Sequence, residues 1–188
     1  MHAQLNIRQI PAGRMDETLQ IYRDSTLPAV RSHQGFKRAL ILADRNASKI
    51  IAIALFETEA DLTARTRTTF IDPIAGAPTS ERYEVSAYDM PEPESGQAAY
   101  ARVNYREIPL DRMDEAIRTY RDKTLPEVRT QNGSQGALVL ADRSNGKIIA
   151  IALWDTEANM NASTPPGYVD AISGGPPVRE TYEVTAEA

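Results

Sequence analysis

Lys49-Ile50-Ile51-Ala52-Ile53-Ala54-Leu55 recurs unchanged as Lys147-Ile148-Ile149-Ala150-Ile151-Ala152-Leu153, and the fold is decided by how this run is read. An identical stretch about 98 residues further on is the mark of an internal duplication. The run itself reads as a strand with two apolar faces. Side chains alternate along a strand, so Ile51, Ile53 and Leu55 point one way while Ala52, Ala54 and Phe56 point the other. Burying one branched aliphatic side chain is worth ~1.5–3 kcal/mol, so neither face can be left to water.

The duplication extends outward from this strand in both directions. Arg14-Met15-Asp16-Glu17 returns as Arg112-Met113-Asp114-Glu115, and Tyr22-Arg23-Asp24 with Thr26-Leu27-Pro28 returns as Tyr120-Arg121-Asp122 with Thr124-Leu125-Pro126. Tyr83-Glu84-Val85 returns as Tyr182-Glu183-Val184, and about half of all aligned positions are identical. Residues 4–89 and 102–188 therefore read as two copies of one α+β domain. Residues 90–101 join them, with a Pro/Glu/Gly-rich centre that lacks apolar periodicity and reads as a linker.

Within each copy the pattern predicts β-α-β-β-α-β. Residues 5–10 and 103–108 alternate apolar and polar and open each copy as a strand, ended by Pro11 or Pro109. Residues 14–31 carry helical spacing, with Pro28 expected to kink or divide the helix because it has no backbone donor. Gly35 and Gly133 mark its exit. Two strands and a hairpin follow, signalled in the second copy by Asn145-Gly146, which tolerate positive φ. Thr58 and Thr156 sit at the N-cap of a short second helix. A Gly/Pro-rich loop, residues 65–78 or 163–177, leads to the last strand, residues 82–88 or 181–186. This is the ferredoxin-like unit. Its bare second sheet face predicts two repeats packed sheet to sheet, with helices outside, as an intrachain pseudo-dimeric α/β barrel. The linker makes that pairing intramolecular.

Composition narrows the function. With 41% hydrophobic and 25% charged residues the chain is of ordinary globular type. It lacks any run of the ~18 apolar residues a membrane span requires, and no secretory signal is visible, so a cytoplasmic location is expected. Cysteine is absent, which removes disulfides, thiolate nucleophiles and cysteine metal sites together. A net charge of -5 argues against nucleic-acid binding. His2 lies near the terminus and His33 has Gln131 as its counterpart, so a metal site is not expected. There is no Ser/His/Asp arrangement, phosphate loop or dinucleotide fingerprint.

Each copy resembles the antibiotic-biosynthesis monooxygenase (ABM) domain of the dimeric α/β barrel superfamily. The resembling residues are Gly35-Phe36, Asp142-Arg143 with Asn145-Gly146, and Leu153-Trp154-Asp155-Thr156-Glu157-Ala158. The resemblance implies a cavity between sheet and helices, and in part of the family a monooxygenase acting on polyphenolic or quinol-like substrates without metal or flavin. Trp154 matches that family's Trp at the end of the third strand, and Phe56 stands there in the first copy. The family's Asn one turn earlier is replaced by Ala150 and Ala52. Asn6 and Asn104 match the first-strand Asn of haem-degrading members, but neither copy has their His, so haem degradation is not expected.

The cavity candidates are accordingly Trp154, Phe56, Asn6, Asn104, Arg8, Arg106, Tyr22 and Tyr120. Asn6 and Arg8, like Asn104 and Arg106, share one strand face and need hydrogen-bond partners if buried, from a helix carboxylate such as Asp24 or Asp122 or from a ligand. The tyrosines could stack on that ligand or serve the core. Catalytic residues are not identifiable, and no cofactor is expected. The expected partner is a small aromatic or quinone-type molecule, with oxygenation or a non-catalytic barrel that binds a metabolite or another protein as alternatives, and a further homo-oligomer stays open. A void of a few hundred Å³ beside Trp154 and Phe56 would mark a ligand pocket, whereas a filled one would mark a core.

Overall fold

A computed structural model describes residues 1–91 and 98–188, so the centre of the expected linker lies outside the described residues. In chain order the first copy contains β1 (His2–Gln9), α1 (Met15–Ile21), α2 (Leu27–Arg31), β2 (Phe36–Asp44), β3 (Lys49–Phe56), α3 (Glu59–Ala64), α4 (Asp72–Ala75) and β4 (Thr79–Asp89). The second contains β5 (Tyr100–Glu107), α5 (Met113–Thr119), α6 (Leu125–Arg129), β6 (Ser134–Asp142), β7 (Lys147–Trp154), α7 (Glu157–Ala162), α8 (Asp170–Ser173) and β8 (Val178–Glu187). The strands hydrogen-bond in the order β1-β3-β2-β8-β5-β7-β6-β4, a closed barrel. The expected α+β class, ferredoxin-like element order and pseudo-dimeric barrel are all present.

Two compact units are best taken one at a time. Residues 1–83 and 183–188 form the first, and residues 84–182 form the second. In the first, β3 is the central strand, antiparallel to β1 (Leu5↔Ile53) and to β2 (Leu40↔Ile53). The end of β8 completes its sheet, with Ala43↔Glu183, Leu42↔Val184 and Ile41↔Ala186 in register. The second unit repeats this: β7 pairs with β5 and β6, and the end of β4 lies beside β6 with Glu84↔Ala141, Val85↔Leu140 and Ala87↔Val139. Both borrowed strand ends carry a register shift, at Val85/Ala87 and opposite Ile41/Leu42.

The alternation predicted for the opening heptapeptide holds. Ile51, Ile53 and Leu55 are buried, and so are Ile50 and Phe56 on the opposite face. On the helix side of the first unit, Ile50 packs with Leu19, Tyr22, Leu27, Ile41 and Ile71. Its counterpart in the second joins Ile148, Met113, Ile117, Tyr120, Leu125 and Trp154.

Pro28 does divide the helix, but not by a simple kink. A π-helical turn, Tyr22–Thr26, precedes α2, and the Leu27 backbone N–H donates to the Tyr22 carbonyl five residues back. Tyr120–Thr124 repeats it before Pro126. Proline cannot donate to the carbonyl four residues earlier and its ring crowds it, and one widened turn absorbs that misfit. Thr58 and Thr156 act as N-caps, accepting from the Asp61 and Asn159 backbone N–H groups. Gly35 and Gly133 have φ of +71° and +77°, and a Cβ there would lie 2.4 Å from the Asp61 carboxylate or 2.2 Å from Asp155. The expected Gly/Pro loops each contain a short helix, α4 or α8, that the sequence reading did not predict.

Candidate functional site

Strand alternation delivers the first-strand residues to the helix side of each sheet. Asn6 and Arg8 line a cavity in the first unit with Tyr22, Ala52, Ala54 and Arg65. Asn104 and Arg106 line its counterpart in the second unit with Arg102, Tyr120, Ala150 and Trp154. The alanines of β3 and β7 make these spaces possible, since a longer side chain there would fill them. Phe56 is fully buried but packs with Val30, Phe36, Ala54 and Leu62 behind the cavity wall. Trp154 is equally buried and does line its cavity.

The cavities measure about 40 Å³ in the first unit and about 50 Å³ in the second. One water takes roughly 10–15 Å³ on the same scale, so each has room for about three to five waters. That is smaller than the void of a few hundred Å³ expected of a ligand pocket, yet the space is not filled by side chains.

The partners of Arg8 and Arg106 are not Asp24 and Asp122. Asp122 lies on the exposed side of its helix and receives Arg121 at 2.7 Å. Arg8, 5% exposed, instead bridges to Asp72 of α4 at 2.7 Å and donates to the Gly76 carbonyl. Arg106 pairs with Asp170 of α8 and donates to the Ser173 hydroxyl at 2.6 Å and the Gly175 carbonyl at 2.7 Å. Its Nε also donates to the Tyr120 hydroxyl at 3.1 Å. These arginines thus fasten the loop helices, which explains why a Gly/Pro-rich stretch acquires helical turns. The Arg8 guanidinium, and secondarily Arg67, hold the Asp72 carboxyl below its ordinary value. Burial raises the Tyr22 and Tyr120 phenols above theirs, with the neighbouring arginines pulling back, so both are neutral hydroxyls at physiological pH.

Asn6 Oδ1 accepts from Gln4 at 3.0 Å and Ser80 at 2.7 Å, and Asn104 Oδ1 accepts from Arg179 at 3.2 Å. The cavity arginines Arg65, Arg67 and Arg102 escaped the sequence reading. Arg102 lies one alternation before Asn104, is 6% exposed, and its guanidinium sits 5.9 Å from the centre of the Trp154 ring. It donates to Ser163 at 2.6 Å and to the Met160 carbonyl. In the first copy that position is Gln4, and Arg65, from the position matching Ser163, stands 5.9 Å from the Phe56 ring centre. Comparing copies position by position hides this exchange. The signal that could have found Arg102 is its shared strand face with Asn104 and Arg106.

Among the described residues no group of three His, Cys, Asp or Glu side chains could hold a metal, and no helix is long and apolar enough to cross a membrane. A haem does not fit these cavities, which offer only about 40–50 Å³ and no His on their walls.

The closed antiparallel barrel of two ferredoxin-like repeats is the fold of solved monooxygenase-like proteins, among them a ferredoxin-fold protein of Listeria monocytogenes related to antibiotic biosynthesis monooxygenases. A candidate monooxygenase from Lactobacillus acidophilus superposes with a TM-score of 0.74 at 11% identity, covering 100% of this chain and 95% of its own. An anthrone oxidase-like protein gives 0.66 at 15% identity, covering 100% and 92%. The haem-degrading enzyme of Listeria monocytogenes gives 0.56 at 10% identity, covering 98% and 99%. In sequence, the chain is 26% identical over 162 residues to the uncharacterised Mycobacterium tuberculosis proteins MT2634 (strain CDC 1551 / Oshkosh) and Rv2557 (strain ATCC 25618 / H37Rv), covering 83% of this chain and 72% of theirs. No protein-family model matches it.

Proposed function

We propose that this chain is an ABM-like protein of the cytoplasm that binds a small aromatic or quinone-type molecule in its helix-side cavity. The observation that carries this reading is the pair of unfilled helix-side spaces, walled by apolar side chains and ended by buried Arg and Tyr groups and a half-buried Asn. Apolar walls with a few fixed polar groups are the usual composition of a small-molecule site. The second unit is the better candidate, because Trp154 lines its cavity whereas Phe56 lies behind the wall of the first.

Cofactor-independent monooxygenation is the chemistry proposed for that site, and the monooxygenase-like and anthrone oxidase-like proteins of the same fold support it. There a deprotonated phenol activates its own ring. A ring CH2 becomes C=O, one atom of O2 is retained, the other leaves as water, and the four electrons come from the substrate carbon. The protein's part is to orient the ring and keep the site dry. Non-catalytic binding is the competing reading, favoured by Ala52 and Ala150 at the positions where the resemblance places Asn.

Oxygen consumption by the full chain with a panel of hydroxyquinones and anthrone-like phenols, alongside Trp154 fluorescence, separates the two. Steady oxygen uptake with saturation is the expected result. Saturable quenching without uptake leaves binding alone, and neither signal from folded protein sinks both.

A further inference from the structure

Several buried donors at the second unit's cavity have no acceptor. Arg102 Nε, Trp154 Nε1 and Thr124 Oγ1 are buried without a hydrogen-bond partner, and all three residues line that one space. They come from β5, β7 and the π-helical turn before α6, so no single local motif accounts for their convergence. Arg102, Trp154 and Thr124 are 6%, 1% and 8% exposed, which denies bulk solvent to these groups. An unmet buried donor is costly, and a buried cation without a counter-charge more so.

That counter-charge is missing. Arg102 donates to a hydroxyl and a backbone carbonyl, and among the described residues no carboxylate forms an ion pair with it. Burial, followed by the like charge of Arg179, makes its charged form less favourable than in water. The contrast with Arg106, four residues along the same strand, is direct, since Arg106 has Asp170. The first unit reaches the same state by another route. Arg65 brings an unpartnered Nε to that cavity, again without a carboxylate, although it comes from a loop rather than a strand. Two copies that exchanged the position of the arginine, yet kept its charge beside the aromatic residue, retain a positive cavity rather than a particular side chain.

We infer that the second unit's cavity is an oxyanion site, where the carboxylate or phenolate of an aromatic molecule lies against Arg102, Trp154 Nε1 and Thr124. This rests on the aromatic-pocket reading and narrows its ligand class. The oxyanion accepts from the unmet donors and neutralises the guanidinium. A carboxylate and a phenolate present the same anionic oxygen, and the test distinguishes them.

The full chain is titrated with benzoate, its neutral isostere benzamide, sodium formate, and 4-nitrophenol on either side of its ionisation, reading Trp154 fluorescence. Saturable benzoate binding about tenfold or more tighter than benzamide is expected, the advantage of a charge-assisted hydrogen bond over a neutral one. Nitrophenol binding that strengthens on ionisation assigns the phenolate source; preference for benzoate alone assigns the carboxylate. Arg102→Gln, which copies the residue of the first repeat, removes the benzoate advantage over benzamide. Arg102→Lys retains part of it. Equal affinity for benzoate and benzamide in the unaltered protein overturns the inference while sparing the aromatic pocket, and needs no variant to fold. Undiminished benzoate affinity in Arg102→Gln also overturns it. Formate binding with no aromatic binding overturns this inference and the aromatic pocket together.

Discussion

Arg106 and Arg121 show how differently the same side chain is used in one repeat. Arg121 pairs with Asp122 where both are more than half exposed, and its replacement by Ala should change stability by less than about 0.5 kcal/mol. Arg106 is buried, and its donors reach the Tyr120 hydroxyl, Ser173, Gly175 and Asp170 at once. Arg106→Met keeps most of the side-chain volume but leaves those buried acceptors unmet. Asp170 is partly exposed and can rehydrate, which limits the loss. A destabilisation of about 1–3 kcal/mol is expected by urea unfolding. A change no larger than that of Arg121→Ala would mean that Arg106 does not fasten α8. The sequence disclosed Arg106 because it alternates with Asn104 and Ile108. It did not disclose Asp170, because a short helix held by one ion pair leaves no periodicity in a Gly/Pro-rich stretch.

At the scale of elements, what the sequence disclosed and what it hid divide by the range of the interaction. The heptapeptide strand, the Thr58 and Thr156 caps and the Gly35 and Gly133 exits are set by nearby residues, and all were readable. The π-helical turns were only half readable: Pro28 and Pro126 announced an interruption but not its geometry. Those turns place Tyr22 with Thr26, and Tyr120 with Thr124, on the cavity walls. The helices α4 and α8 were hidden because their stability comes from arginines on strands more than 60 residues away. This dependence makes the attachment of α4 sensitive to acid. The Asp72 carboxyl is held below its ordinary value by Arg8, so its stabilisation is fully present above the unfolded-state pKa of about 3.9 and is lost as pH falls through the lower folded-state pKa. Asp72→Asn should therefore lower the melting temperature at pH 6, with the difference from the unaltered protein narrowing towards pH 2. An equal difference at both pH values would show that the ion pair contributes nothing.

For the whole molecule, the decisive fact is that each repeat's last strand ends in the other compact unit. In the first unit, residues 183–187 lie beside β2, and Arg38, 3% exposed, is ion-paired there with Glu187. A fragment of residues 1–91 loses that strand and leaves Arg38 buried without its carboxylate, which is among the costlier defects a core can carry. It keeps Glu84-Val85-Ser86-Ala87-Tyr88, which corresponds position for position to Glu183-Val184-Thr185-Ala186-Glu187. In the full chain that segment pairs with β6; in the fragment it is free to fill the vacant edge of a second copy. The fragment should accordingly elute as a homodimer on size exclusion, with a melting temperature that rises with concentration. A folded monomer would show that β2 needs no partner. The substitution Tyr88→Glu supplies the carboxylate that Arg38 lacks in such a dimer, because residue 88 occupies the place of Glu187. It should tighten the fragment dimer, whereas in the full chain, where Tyr88 pairs opposite Leu138, it should give no such gain. Tightening in the fragment alone would tie the duplication to its physical role, in which each copy supplies the strand that the other is missing and the second also supplies the charge.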